Sequence, residues 1–422
     1  ACSMFYFKAV TVKLLPFDNK SEVQVVVDMP EGTALENTGR VLEDVAGVVR
    51  GLPEATAMEA YVGTSAPFNF NGLVRHYFLR SQPEQGDVMV TLLPKGDRSR
   101  SSHQIALDLR QRLKALRLPN GASIKVVETP PGPPVLAPLL AEVYGPDEVT
   151  RQKTATELEK IFRSIPFIVD VDNSFGEARP KLRLDVQRDR LDYYGLSQRQ
   201  VADSIGMLMG SQTVGYAPRG DGRSPLPITI ALEQKDRSWT QALSSTPVAQ
   251  TPGGQLIDLG AVVEARTEAG SPAIFRRDGR YADMVTAELA GAYEAPIYGM
   301  IEVNRAVDAY DWAAKGLQKP EIRLNGQPED ESVPSLLWDG EWEITWVTFR
   351  DMGGAFMVAL LAIYIIVVAQ FKSFRLPLVI LTPVPLTLVG IVIGHMLFRA
   401  PFTATSMIGF IALAGIIVRN SI

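Results

Sequence analysis

The sequence predicts an α+β membrane protein: two ferredoxin-like βαββαβ units, the second interrupted by an inserted subdomain, followed by three transmembrane helices. Three observations carry this reading. Charge is unevenly spread, for 21% of the 422 residues are charged and yet residues 352–422 are almost charge-free. Within 21–127, strand-like alternation and helix-like periodicity succeed one another in the order βαββαβ. After a stiff connector with five prolines, ETPPGPPVLAP, that pattern restarts.

Taken in order, ACSMFYF followed by Lys8 is expected to be the end of a truncated transmembrane helix, residues 1–8. It is too short for a signal peptide. The first unit is expected over 18–137. SEVQVVVDMP alternates as a strand that Pro30 closes, and TALENTGRVLEDVAGVVRGLP follows as a helix, with Thr33 and Glu36 in a capping-box pattern. MEAYVG and GDVMVTLLPKG read as strands, SSHQIALDLRQRLKALRLP as a helix and SIKVVET as a strand. The second unit is expected over 138–180, with strand LLAEVYG, helix DEVTRQKTATELEKIFRSIP and strand IVDVDNS. It resumes over 271–350 with FRRDGRYADMVTAELAG and a helix near MIEVNRAVDAYDW. Between them, 181–270 reads as an insertion: KLRLDVQRDRLDYYGLSQRQVADSIGML as strand then helix, a turn GYAPRGDGRS, strand PITIAL and hairpin-like TPGGQLIDLGAVVEAR. RGD at 219–221 falls in that turn and is attributed to chance.

Transmembrane helices are expected at 352–371, 376–398 and 403–422. Each apolar run approaches the roughly 20 residues that a span needs. The connector FKSFRLP carries Lys372 and Arg375 against one charge, Arg399, in the next, so the positive-inside rule puts FKSFRLP in the cytoplasm. The large soluble region then lies outside it. The apolar run stops at Ile422 without a cap, so a fragment of a longer protein is expected.

A net charge of -5 gives no support for nucleic-acid binding. One cysteine, Cys2, and three scattered histidines (His76, His103, His395) offer neither a disulfide framework nor metal-ligand spacing. No Walker A loop, GxSxG, HExxH or GxGxxG is present. No cofactor is expected, and a membrane gradient is the natural energy source.

Two stretches stand out. APFNFNG, residues 66–72, sets Phe68 and Phe70 among Gly, Asn and Pro, where no regular amphipathic helix fits. Either the loop plugs two rings into the core, or it presents aromatic faces to an apolar ligand, with Tyr61 and Met89 as neighbouring wall residues. In ALAGIIVRNSI, Arg419 and Asn420 interrupt an apolar run. A helix starting near Thr403 places Arg419 about 24 Å along, where it can snorkel to the interface. A later start, near Ser406, places it mid-membrane, where it needs an acidic partner.

LPFDNKSEVQVVVDMPEGT, DRLDYYGLSQRQVADSI and the spans from ALLAIYIIVVAQFKSFRLPLVILTPVPLTLVG to GFIALAGIIVRNSI resemble the second half of the resistance-nodulation-division efflux pumps. The resemblance covers nearly the whole chain and implies the hydrophobe/amphiphile (multidrug) subgroup. It implies a homotrimeric proton antiporter in the bacterial inner membrane, exporting small hydrophobic or amphiphilic substrates from the periplasm. It also implies a periplasmic adaptor and an outer-membrane channel as partners. The two βαββαβ units would be porter subdomains and the insertion a docking subdomain. APFNFNG falls where drug exporters carry a phenylalanine-containing switch loop, and Met89 where a pocket aromatic often sits. Arg419 aligns with a lysine that pairs with two acidic residues on a span absent here, so Arg419 and Asn420 would serve proton coupling. Arginine stays charged, so it can anchor such a pair without releasing a proton. On this reading the chain alone is inactive. The alternatives are a metal-exporting relative, which would want Met, His or Cys clusters where only Met58, Met89, Met207 and Met209 are scattered, and a membrane-anchored periplasmic binding or assembly module.

Overall fold

The structure, a computed structural model, describes residues 8–421 apart from 130–131, 133–134, 177–179, 219–223, 234–235, 252, 271–272 and 292, and the backbone alone of Asn71. Of the helix end expected at 1–8, residues 1–7 lie outside the described residues and Lys8 lies in a turn; the RGD of the turn and Ile422 also lie outside them.

Strands β1 (Glu22–Asp28), β2 (Ala55–Val62), β3 (Gln85–Leu92) and β4 (Ser123–Val127) form an antiparallel sheet in the order β2-β3-β1-β4. Val25 of the central strand faces Val88 on one side and Val126 on the other. Val23, Val25 and Val27 point to one face and pack with Val88, Val90 and Leu92 against helices Leu35–Arg50 and Ser102–Leu113. A two-residue repeat thereby hands every second β1 side chain to the same core. Gln24 and Val26, on the other face, are buried as well, because this face too is covered. Ser101 and Gln104 form a reciprocal capping box on the second helix. The box expected at Thr33 and Glu36 is absent: Ala34 is the N-cap and has no side-chain bond. Pro30-Glu31-Gly32 makes a turn with Gly32 at φ 84°, which carries the Thr33 hydroxyl onto the Pro30 carbonyl (2.5 Å).

The second sheet has five strands. β5 (Leu139–Tyr144) lies between strands Ser335–Gly340 and Asp283–Leu289, with β6 (Ile168–Asn173) beyond the latter and Glu321–Arg323 at the other edge. Helices Glu148–Ser164 and Pro296–Ala309 cover one face, where Leu158, Phe162, Val303 and Trp338 join one core. Glu321–Arg323 and Ser335–Gly340 pair in parallel, and the sequence reading did not anticipate either strand.

Residues 178–271 make a second compact unit. Strand Pro180–Val186 pairs antiparallel with Val263–Ala269, and Leu191, Val201, Ile257, Leu259 and Val262 centre its small core. The single helix expected after the first of these strands is two helices, Arg188–Tyr194 and Gln198–Met209. Gly195 at φ 68° ends the first, and Ser197 caps the second.

Among the described residues, three helices are long and apolar enough to cross a membrane: Glu341–Phe371, Leu376–Phe398 and Ala404–Ser421. The first starts at Glu341 rather than Met352, so its opening turns are polar. The second is broken at Thr382, just before Pro383, whose ring lacks the N–H that would continue the ladder. Phe356 and Phe410 meet edge to face at 5.2 Å between the first and third. The connector before the third is tied to the stretch preceding β1, with Phe402 N–H donating to the Thr11 carbonyl (2.7 Å) and Lys13 N–H to that of Phe402 (3.0 Å).

Candidate functional site

The connection from β2 to β3 carries the aromatic stretch. Phe68 lies in a loop, whereas Phe70 opens a short helix, Phe70–Val74, so the stretch is not irregular throughout as expected. Asn69 makes that turn possible, its Oδ1 accepting the Gly72 N–H at 2.6 Å. Phe68 and Phe70 are 68% and 49% exposed, so neither ring plugs the core. Leu73, Phe78 and Leu79 are exposed beside them, and the Phe68 and Phe78 rings are 6.0 Å apart. Five large apolar side chains are thus exposed within twelve residues of connection, and clustered exposed apolar surface is of the kind that marks an interaction site.

Asp87, on β3, anchors both ends of this connection. Its Oδ2 accepts the Ala66 N–H (3.3 Å) and its Oδ1 faces Arg80 Nε (3.1 Å). Burial pushes the Asp87 carboxyl up, against the pull of Arg80. Arg80 also donates to Asp28 (2.7 Å) and to the Val27 carbonyl (2.9 Å). Burial alone would raise Asp28, but Lys125 and Arg80 outweigh it and hold that carboxyl below its usual range. Tyr61 stands opposite Asp87, and Met89 opposite Glu59, on the sheet face away from the two helices. Both are half-buried, and the Tyr61 hydroxyl donates to Glu59 at 2.6 Å. The structure thus puts Tyr61 and Met89 on the face that the connection crosses.

Past the short helix, Arg75 reaches the second sheet and pairs with Glu288 at 2.6 Å. It belongs to a set of pairs with uniform polarity: His103 with Glu294 (2.8 Å), Arg110 with Asp170 (2.8 Å) and Lys125 with Asp172. In each, the cation comes from the first βαββαβ unit and the carboxylate from the second. His103 also pairs with Glu128 (2.8 Å) and stacks on Phe17, with ring centroids 4.1 Å apart. Burial opposes its charge, but the two carboxylates prevail and push the imidazole up to about 9. Interfaces of this polar kind permit relative motion of the parts they join. These side chains were invisible to sequence reasoning, since partners such as His103 and Glu294 lie far apart along the chain. Only the approach of the two sheets brings them together.

Arg419 and Asn420 are exposed in the last turns of the third membrane helix. Among the described residues Arg419 meets no carboxylate. Counted from Ala404, it sits about 22 Å along the helix at 1.5 Å per residue. The structure does not bring it near Phe68, Phe70, Tyr61 or Met89, which belong to the soluble part. No cluster of three His, Cys, Asp or Glu side chains suited to a metal ion occurs among the described residues.

The family model of the AcrB/AcrD/AcrF family matches residues 1–307 and 334–422. Among curated proteins the chain is similar to the cobalt-zinc-cadmium resistance protein CzcA of Cupriavidus metallidurans, at 22% identity over 68% of this chain and 26% of that protein. It is similar to the swarming motility protein SwrC of Bacillus subtilis at 23% identity over 66% of this chain and 24% of SwrC. The putative cation efflux system protein SilA of Salmonella typhimurium matches at 21% over 96% of this chain and 36% of SilA. A crystal structure of a heavy metal efflux pump shares the fold, with a TM-score of 0.76 and 20% identity over 99% of this chain and 41% of that one. The chain therefore spans about a quarter to two fifths of the proteins it matches.

Proposed function

The chain belongs to the AcrB/AcrD/AcrF family of resistance-nodulation-division efflux pumps, and from that premise we propose that it is part of a permease exporting hydrophobic or amphiphilic compounds. The observation that carries the substrate class is the exposed aromatic connection, with Phe68 and Phe70 held above a sheet face bearing Tyr61 and Met89. Aromatic faces give large, geometry-tolerant contact area to apolar cargo. The two βαββαβ units are read as ferredoxin-like porter subdomains in the periplasm, the insertion as a docking subdomain, and the membrane as the bacterial inner membrane. A homotrimer working with a periplasmic adaptor and an outer-membrane channel completes this reading, with Arg419 and Asn420 serving proton coupling.

A second reading is export of metal cations. It is favoured by the names of relatives such as CzcA and SilA, and no cluster of three His, Cys, Asp or Glu side chains among the described residues adds to it. Expression of the full-length gene product in an efflux-deficient host separates the two. Raised tolerance to dyes, bile-type amphiphiles and bulky antibiotics supports the first reading. Raised tolerance to cobalt, zinc, cadmium or silver alone supports the second. Tolerance to neither points to a membrane-anchored binding or assembly module.

A further inference from the structure

A cavity lies where the stretch preceding β1, the two βαββαβ units and the first membrane helix meet. Its walls include Leu14, Phe17, Val126 and Leu289, and its charged lining includes Lys13, Arg110, Glu288 and Glu341. Lys13 is 7% exposed, and its ammonium donates no hydrogen bond to the protein. It sits over the Phe17 ring at 3.2 Å from the centroid, and burial lowers its pKa. Arg110 Nε and Glu341 Oε1 are likewise buried without a protein partner. No direct ion pair joins Lys13 to Glu341 among the described residues. The other charges of the site are engaged: Glu288 with Arg75, Glu294 and Glu128 with His103, and the Arg110 terminal nitrogen with Asp170.

Leaving a buried ammonium and a buried carboxylate oxygen bare is costly unless something polar lies between them. The cavity offers about 30 Å³ to the centres of water-sized molecules, and each water needs roughly 10–15 Å³ and two to four polar partners. Donors on Lys13 and Arg110 and acceptors on Glu341 and Glu288 supply those partners. A lone ion of either sign would face charges of its own sign. We propose that this cavity is a built hydration site, in which two or three internal water molecules bridge Lys13 to Glu341. The waters would link the first turn of the membrane helix Glu341–Phe371 to the base of both βαββαβ units, a link that neither sheet makes by direct ion pairing at Glu341.

The test is a structure of the full-length protein at a resolution that shows ordered water, with melting temperatures of the Lys13→Met and Glu341→Gln variants. Two or three density peaks within hydrogen-bonding distance of Lys13 Nζ and Glu341 Oε1 are expected. Lys13→Met should lose peaks and lower the melting temperature, whereas Glu341→Gln, which keeps an acceptor, should retain them. A direct Lys13–Glu341 contact, density for a non-aqueous molecule, or a Lys13→Met melting temperature equal to wild type would overturn the proposal. If Lys13→Met does not fold, the peaks in wild type and in Glu341→Gln decide alone.

Discussion

Arg80 Nε stands 3.1 Å from Oδ1 of Asp87, a carboxylate with no solvent exposure. Through this contact and the Ala66 N–H, one buried side chain fixes both ends of the aromatic connection. Removing one member of a buried pair strands the other charge and commonly costs about 3–5 kcal/mol. Here Asp28 also holds Arg80, which softens the loss. Asp87→Ala is therefore expected to destabilise by about 2–4 kcal/mol in denaturant unfolding, with faster amide exchange confined to 66–80. Asp87→Asn, which still accepts from Ala66, should cost less. Equal exchange in 66–80 for wild type and Asp87→Ala would remove the anchoring role.

His103 makes stability depend on pH. Its pKa is raised in the folded state, from 6.5 to about 9, by Glu128 and Glu294. Such a group contributes fully below the unfolded value, and the contribution fades as pH rises through the folded one. On the order of 3 kcal/mol is at stake, at about 1.4 kcal/mol per pH unit. Urea midpoints should fall between pH 6.5 and 9.5, and His103→Gln should flatten the decline. A wild-type midpoint that does not move over this window would mean the clamp is not charged.

Gly340 joins the second sheet to the first membrane helix at φ 72°. A Cβ there would lie 2.4 Å from the Ala137 carbonyl oxygen, a backbone atom that cannot step aside. Gly340→Ala combines a positive-φ conformation (φ 72°, ψ −135°) that side chains rarely adopt, costing about 1–3 kcal/mol, with that clash. Much reduced yield of folded protein in size-exclusion chromatography is expected. Wild-type yield and melting temperature would show that the joint relaxes freely.

Much of this architecture was legible in local pattern. Val23, Val25 and Val27 alternate as a strand with one face in the core, and Pro30 ends it, because period two and a missing donor are local facts. The three membrane helices were legible from the length of their uncharged runs. What failed were boundaries and breaks. Thr33 lost its cap to a turn that its neighbours Pro30 and Gly32 dictate, and the first membrane helix begins in the polar stretch from Glu341, where composition gave no signal. Ser335–Gly340 went unseen because five of its six residues are buried, without alternating. In the candidate site, Phe68 and Phe70 drew notice as apolar residues in a breaker-rich stretch. Asp87 did not, for an aspartate in a strand announces nothing until Arg80 folds back on it.

Arg419 carries the coupling proposal. An unpaired cation in hydrocarbon costs several kcal/mol, so in the intact pump it should face an acidic partner. Arg419→Ala in the full-length protein is expected to abolish proton-driven export with little loss of folded oligomer, and Arg419→Lys to keep part of it. Export by the alanine variant at the wild-type rate would reduce Arg419 to an interfacial anchor.

The central claim, that the aromatic connection handles hydrophobic cargo, is tested most directly by the export rate of a fluorescent amphiphile. The comparison is between cells carrying the wild-type full-length protein and cells carrying Phe68→Ala with Phe70→Ala. Phe68 is largely exposed and Phe70 about half exposed, so folding and membrane abundance should be unchanged. Loss of two aromatic contacts, at roughly 1 kcal/mol or more each, should slow export by about tenfold or more. Export at the wild-type rate at equal abundance would contradict the account.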